Sequence, residues 1–344
     1  MRKTFPFYRL FFILFLLFAG VLVHLASGSS EIPLEKVIGL LYQKISGSEW
    51  GEDYLYGIIL WNGRMPRLIV AFFVGASLSI SGAVMQALFK NPMASPDVTG
   101  VASASVFGAI LSIVTGAASY GFYSLAFFSI VSAIITLFMV YLLSTSYGKT
   151  SCITLLLVGM AVSLFFASMV AFLITIKLHD WETGKTIVAW TLGDLNDRQW
   201  EHVCTIFTTF LIGTGIILFF TRDLNILMHG EEIASNLGVD VNHVRFLLLL
   251  ACAFLTGGAI GVAGMIGFIG LIIPHIVRSL FGNDHYILLP FSILCGGIFL
   301  LYCDLLLRIA FTMDIKIGAL TGLIGSPYFF YLILKNRRKF SAFG

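Results

Sequence analysis

Two arginines, Arg64 and Arg67, stand three residues apart around Pro66 and open a charge-free run from Leu68 to Phe89. At about 1.5 Å per residue, this run is long enough to cross a bilayer as a helix. The arginines therefore lie at a membrane edge, where guanidinium groups can pair with carboxylates. Simple anchoring of a helix end in the interface explains the same pattern and stays a serious alternative.

No enzyme chemistry is indicated elsewhere in the chain. Gly148-Lys149-Thr150 and Gly184-Lys185-Thr186 resemble the end of a phosphate-binding loop, but Leu143 and His179 stand where that motif needs its first glycine. HExxH, GxSxG and spaced carboxylate pairs are absent from the sequence. We therefore predict a protein that is not an enzyme, binds no ATP itself and carries no cofactor.

Metal and disulfide sites are not indicated either. The five cysteines are scattered singly through apolar segments without a CxxC pair, which is typical of buried small side chains.

Composition places the chain in the membrane. Of its 344 residues 58% are hydrophobic and only 11% are charged, which is too apolar for a soluble domain. The net charge of +3 is small and the basic residues gather near the two ends, so binding to nucleic acid has no support. We expect one all-α transmembrane domain, residues 1–344, in contact with membrane lipid.

The apolar runs predict about ten transmembrane helices. Small residues spaced three and four apart, such as Gly75, Ser79 and Ala83, predict close helix packing in the run after Arg67. The ten predicted helices cover residues 10–26, 68–89, 98–116, 122–143, 151–176, 202–220, 244–263, 266–281, 286–311 and 317–334. A polar turn from 90 to 97 precedes the third helix, and Asp97 is the expected cap of that helix.

The first helix follows Arg2, Lys3 and Arg9 and resembles a cleavable signal peptide, but we favour a retained helix. Positive charge before it and an even number of spans place both termini in the cytoplasm. Residues 32–45 predict an amphipathic helix at the outer surface.

A short helix is predicted in the cytoplasmic segment from about 222 to 245. Acidic residues begin it and a glycine follows its end, with apolar side chains on one face. Its residues of interest are Gly230, Glu231, Glu232, Ile233, Ala234, Leu237 and Gly238. From composition alone, we favour an ordinary loop helix folded back on the bundle.

One charged pair falls inside a predicted span. Asp304 and Arg308 are four residues apart in the ninth helix, and charges there are costly unless they are paired. A mutual pair along one helix is the modest prediction.

Several motifs resemble those of permease subunits of ABC importers for iron chelates, haem and cobalamin (FecCD-type, type II importers). They are R-x-P-R, then S-G-A-V-M-Q-A-L-F, N-P-x-A-x-P, G-E-E-x-A-x-x-L-G-V, and G-x-I-G-F-I-G-L-I-x-P-H-x-x-R from Gly264 to Arg278. The resemblance implies a type II permease fold that works with separate ATPase and binding-protein subunits. This chain departs from the pattern at Lys316, where the family usually has a proline.

The resemblance also implies roles for particular residues. Arg64, Arg67 and Arg308 match arginines that dock the binding protein, and Gly230 to Gly238 match the segment that couples to the ATPase. Thr150, Ser151 and Cys152 align with the inner gate.

The assembly implied is a homodimer with two ATP-binding cassette subunits and a periplasmic or lipid-anchored binding protein, in a bacterial inner membrane. Iron(III)-siderophore is the first expectation for the substrate, with haem and cobalamin as alternatives. An ion-coupled secondary transporter is the alternative from another class, but it would keep ionisable groups deep in its helices, and most spans here have none.

Overall fold

The structure, a computed structural model, describes residues 7–28, 32–146, 149–177, 179–311 and 314–335. Several basic residues that were expected to flank the bundle lie outside these ranges, namely Arg2, Lys3, Arg337, Arg338 and Lys339. The expected cytoplasmic location of both termini therefore stays a prediction.

Within these ranges the chain forms fifteen α-helices and one short hairpin. In chain order they are α1 (Phe7–Ala26), α2 (Leu34–Ser46), α3 (Tyr54–Ile58), α4 (Met65–Leu88), α5 (Val101–Val114), α6 (Ser124–Ser144), β1 (Thr145–Ser146), β2 (Lys149–Thr150), α7 (Cys152–Lys177), α8 (Trp181–Thr191), α9 (Trp200–Phe219), α10 (Thr221–Leu227), α11 (Glu231–Asn236), α12 (Val241–Ala263), α13 (Ile269–Phe281), α14 (His285–Ala310) and α15 (Ile317–Lys335). The two strands pair antiparallel, with Thr145 opposite Thr150.

The helices match the predicted number of spans. In the described part of the chain, seven helical segments are long and apolar enough to cross a membrane, and three shorter apolar helices, α5, α13 and α15, bring the total to ten. The prediction of an all-α membrane protein with about ten spans is confirmed, with the two-residue strands as a small addition.

Two helices begin three residues later than predicted. The helix expected from Val98 begins at Val101, because Gly100 has a left-handed φ of 81° that ends the preceding turn. Asp97 is therefore not the cap of that helix, and no side chain caps it. The helix expected from Ile266 begins at Ile269, after Phe268 with a φ of 69°.

Helical structure also forms in segments where none was predicted. Helical structure runs almost continuously from Gly51, through a π-helical turn at Ile59–Arg64, into α4. Helix α8 lies between the predicted helices 151–176 and 202–220. Asp180 caps it by accepting from the main-chain N–H of Thr183 at 3.4 Å, and also accepts from the Thr183 hydroxyl at 2.6 Å.

Helix α4 is the most enclosed span, as its small residues predict. A Cβ placed on Gly82 would collide with the main-chain carbonyl of Gly270 on α13, and one on Gly75 would collide with that of Gly296 on α14. Because these glycines have no side chain, the helices approach to backbone contact, which is how membrane helices gain packing energy. Helix α4 is thereby held between α13 and α14.

The predicted amphipathic helix is α2. Its buried residues Val37 and Leu40 pack with Leu25, Leu60 and Leu301, close to the ends of α1 and α14. Its polar residues Glu35 and Lys36 are exposed.

Candidate functional site

The three arginines expected to dock a partner lie at one end of the bundle, which we call the arginine end (Arg64, Arg67 and Arg308). Arg64 is only 4% exposed. Its Nη1 donates to the carbonyls of Leu25 at 2.5 Å and Ala26 at 2.8 Å, the last residues of α1. Arg64 therefore satisfies carbonyls left open by a helix end.

Arg67 is paired within the chain. Its Nη2 lies 2.6 Å from Oδ1 of Asp304 and its Nε lies 2.9 Å from Oδ2, a bidentate ion pair between α4 and α14. Its Nη1 donates to Oδ1 of Asn196 at 2.6 Å. Asp304 is almost fully buried, and Nε2 of the buried His24 lies 2.8 Å from Oδ2. Because the carboxylate accepts, Nε2 carries the proton of the His24 ring.

Arg308 does not form the predicted pair with Asp304. Its Nη2 donates to the carbonyl of Ser27 at 2.6 Å, and its Nη1 lies 3.3 Å from the carbonyl and from Nδ1 of His24. The prediction of a mutual pair along α14 is wrong because the bidentate pair with Arg67 and the bond from His24 occupy both carboxylate oxygens of Asp304.

Arg64 and Arg308 converge on one glycine. A Cβ on Gly28 would lie 2.6 Å from Nη2 of Arg308 and 2.9 Å from Nη2 of Arg64. The structure thus brings the three predicted arginines together, with their guanidinium groups bonded to residues of the same chain.

Lys316, where the resemblance leads one to expect proline, forms a second charged cluster at the arginine end. Its Nζ lies 2.5 Å from Oδ2 of Asp194 and 2.6 Å from Oδ2 of Asp314. Burial alone would lower the pKa of Lys316, but hydrogen bonds to the two carboxylates raise it above its ordinary value. The hydrogen bond from Lys316 lowers the pKa of Asp314.

Asn196 joins this cluster to Arg67. Its Nδ2 donates to Oδ1 of Asp314 at 2.7 Å, while its Oδ1 accepts from Arg67. The loops before α9 and α15 are therefore tied to α4 and α14 by side-chain bonds. Sequence reasoning missed this network because its members are far apart in the chain.

The opposite end of the bundle carries the predicted coupling residues, and we call it the hairpin end (β1, β2 and α11). Gly230 and Gly238 flank α11 with positive φ angles of 131° and 84°. Ala234 is buried, whereas Ile233 and Leu237 are 49% and 64% exposed. Helix α11 therefore presents an apolar patch, as the sequence predicted.

The two acidic residues of α11 differ in their surroundings. Both are exposed, but Glu231 is also bonded to Arg245 on α12. Arg245 is only 3% exposed, and its Nη1 also donates to the carbonyl of Thr150 at 2.9 Å. Nothing in the spacing of Arg245 along the sequence indicated this link.

The three predicted gate residues follow the hairpin. Thr150 is buried and its hydroxyl lies 2.8 Å from that of Thr145. Ser151 is exposed, and Sγ of Cys152 lies 3.7 Å from the carbonyl of Leu88 at the end of α4. The structure thus places the predicted gate beside the predicted coupling helix, with Arg245 between them.

No metal site is formed by the part of the chain that the structure describes, where no three His, Cys, Asp or Glu side chains come together. The arrangement offers ion pairing at one end and an exposed apolar helix at the other.

Comparison with known proteins decides the family, since the FecCD transport family matches residues 15–335, nearly the whole chain. This chain belongs to the FecCD transport family. The FecCD chain is 39% identical over 297 residues to the Fe(3+)-citrate import system permease protein YfmD of Bacillus subtilis, covering 83% of this chain and 87% of the relative. It is also 39% identical over 289 residues to the cobalamin import system permease protein BtuC of Halobacterium salinarum, covering 83% and 76%.

A solved structure supports the fold of this FecCD protein. The structure described as an inward-facing conformation of a putative metal-chelate type ABC transporter is 32% identical, with a TM-score of 0.80 over 95% of this chain and 98% of that one. The type II permease fold predicted from the sequence is confirmed. The chain is a multi-pass membrane permease of an ABC importer.

Proposed function

We propose that this chain is the membrane subunit that carries an iron(III) chelate, first of all a ferric siderophore, across a bacterial inner membrane. The observation that carries the importer mechanism is the apolar patch of Ile233 on α11 and Leu237 just after it. Both side chains are exposed, and the patch is suited to a groove on a separate ATPase subunit. The iron(III) cargo is supported by the Fe(3+)-citrate relative, while the cobalamin relative keeps cobalamin an alternative, as a hemin transport permease does for haem.

The working assembly contains two copies of this chain, two ATP-binding cassette subunits and a periplasmic or lipid-anchored binding protein. ATP is hydrolysed in the cassette subunits, and α11 moves with them. The resulting shift opens and closes the path at the hairpin end, where Thr150, Ser151 and Cys152 form the inner gate.

The binding protein docks at the arginine end. Arg67 and Arg308 are partly exposed and attract acidic side chains on the incoming protein, while Arg64 contributes charge from a buried position. Each guanidinium already has partners within the chain, so the binding protein is attracted by the positive charge that remains. This charge affects the rate and orientation of the encounter more than the affinity.

An ion-coupled secondary transporter fits the structure less well. A coupling carboxylate has to exchange its ion during transport. Asp304, the buried acid in α14, is bonded to Arg67 and His24 and has no oxygen without a partner. This arrangement is typical of a structural ion pair.

The test is assembly with an ATPase. The chain is co-expressed with candidate ATPase subunits encoded beside it, and ATP hydrolysis is measured in liposomes for the wild type, Leu237→Asp and Asn236→Asp. We expect Leu237→Asp to abolish both co-purification and hydrolysis, because it puts a carboxylate into the apolar contact. Asn236→Asp adds the same charge to the same helix at an exposed polar position and should keep both. Equal behaviour of the two variants would contradict docking through α11.

A further inference from the structure

Arg245 stands at the start of one of the most enclosed helices of the bundle. Helix α12 is capped by Asp240, which accepts from the main-chain N–H of His243 at 3.1 Å. The helix then runs between α4, α6 and α9, and 78% of the residues in its most apolar 18-residue stretch are buried. The guanidinium of Arg245 is therefore carried by a backbone that has little freedom to move.

This guanidinium bonds to two separate elements. One Nη donates to the side chain of Glu231, the first residue of α11, and the other donates to the main-chain carbonyl of Thr150 in β2. A planar guanidinium holds two acceptors at a fixed separation, which the flexible ammonium of lysine cannot do. Arg245 thus sets the distance between the exposed helix and the hairpin.

The hairpin, in turn, leads directly into a span that is mostly exposed within the single chain. Ser151 N–H donates to the carbonyl of Ser144 at 3.3 Å, which closes the hairpin between the end of α6 and the start of α7. In the most apolar 18-residue stretch of α7 only 17% of the residues are buried, compared with 78% in that of α12. The buried residues Leu155 and Gly159 hold one face of α7 against the bundle. Because the hairpin continues directly into the first turn of α7, a displacement of the hairpin would be passed to the start of this helix.

We propose that Arg245 is the positioning residue that transmits movement of α11 to the hairpin and so to α7. This rests on the proposed importer function, in which an ATPase subunit displaces α11. When α11 shifts, the side chain of Glu231 pulls the guanidinium of Arg245. The guanidinium in turn pulls the hairpin through its bond to the carbonyl of Thr150. ATP hydrolysis and opening of the path are coupled through this contact.

The test compares transport with ATP hydrolysis in the complete importer, reconstituted in liposomes with ferric siderophore, ferric citrate, haem and cobalamin as probes. Arg245→Gln removes the guanidinium and its charge. Arg245→Lys keeps the positive charge but cannot hold both acceptors at a fixed separation. Glu231→Gln, on a side chain that is 54% exposed, weakens one of the two bonds without a risk to folding. Lys90→Gln removes an exposed positive charge at the same end of the bundle and is the control.

For Arg245→Gln and Arg245→Lys, we expect solute transported per ATP hydrolysed to fall about tenfold, a common size for coupling between two sites. Hydrolysis itself should continue. Glu231→Gln should show a smaller loss in the same direction, and Lys90→Gln should match the wild type. An unchanged ratio in all variants would overturn the proposal, as would an equal loss of hydrolysis and transport, which would mean that Arg245 only maintains the fold.

A distance measurement separates a transmitting role from a structural one. Spin labels at the exposed positions Ser235 and Ile153 report the separation of α11 from the start of α7. In the otherwise wild-type importer, we expect this distance to be the same with and without ATP, because the two elements move together. In Arg245→Gln it should change when ATP is added. Failure of the wild type to transport with ATP would instead count against the proposed function.

Discussion

Arg67 on α4 and Asp304 on α14 form a bidentate ion pair between residues 237 positions apart in the chain. The pair joins the two helices that also meet through Gly75 and Gly296. Charge pairing at the arginine end and backbone contact along the span therefore fix the same helix pair.

Asp304→Asn should destabilise the protein by about 3 kcal/mol, because removing one partner of a buried pair leaves the other charge uncompensated. The change keeps the shape of the side chain, so the effect reports the charge. The measurement is the apparent Tm in detergent, with Glu35→Gln on the exposed face of α2 as the control. An unchanged Tm in Asp304→Asn would show that the pair contributes no net stability.

Lys316→Met should remove a pH-dependent part of the stability. The pKa of Asp314 is lowered by Lys316, so its contribution is complete above its ordinary pKa of 3.8 and is lost as pH falls through the lowered value. The pKa of Lys316 is raised, so its contribution is complete below its ordinary 10.5 and is lost as pH rises through the raised value.

The apparent Tm of Lys316→Met should therefore lie below that of the wild type at neutral pH, and the gap should narrow at strongly acidic and strongly alkaline pH. Lys185→Met, on the exposed surface of α8, is the control and should show no such profile. A gap that stays constant at every pH would mean that the lysine acts by packing alone.

Gly82→Ala should destabilise the bundle by about 1–3 kcal/mol, as is usual when a methyl group is forced into a packed site. The added carbon would meet the carbonyl of Gly270, so α4 and α13 would have to separate. Gly267→Ala is a matched control, since a Cβ there meets no atom within 4 Å. Comparable Tm values for the two variants would contradict backbone contact between α4 and α13.

Arg308→Gln should slow association with the binding protein about threefold at low ionic strength, and salt should weaken the difference. Arg308→Lys keeps the positive charge and should associate at nearly the wild-type rate. Stopped-flow or surface-based kinetics with the purified importer measure both. If the two variants are slowed equally, the specific bonds of Arg308 matter and its charge does not.

The spans could be predicted from the sequence because a bilayer demands long charge-free runs, and all ten predicted spans correspond to apolar helices. Helix α8 was missed since Glu182 and Lys185 gave its segment the composition of a loop. The pattern of Asp180 followed by Thr183 was the available signal, as it forms the N-cap.

The partners within the site were harder to predict than the residues. Asp304 and Arg308 are four residues apart on one helix, so their spacing favoured a pair between them. The packing of α4 against α14 instead brings Arg67 to Asp304. Arg245 likewise gains its contacts only when α11 and the hairpin fold onto α12. Contacts between distant segments depend on packing, which the spacing of residues along one helix does not reveal.

The most direct test of the account is uptake by liposomes that contain this chain with its ATPase subunits and are supplied with the binding protein and ferric siderophore. The account predicts accumulation that requires ATP, is absent without the ATPase, and is lost in Leu237→Asp but kept in Asn236→Asp. Accumulation by the chain alone, driven by an ion gradient and indifferent to ATP, would contradict it.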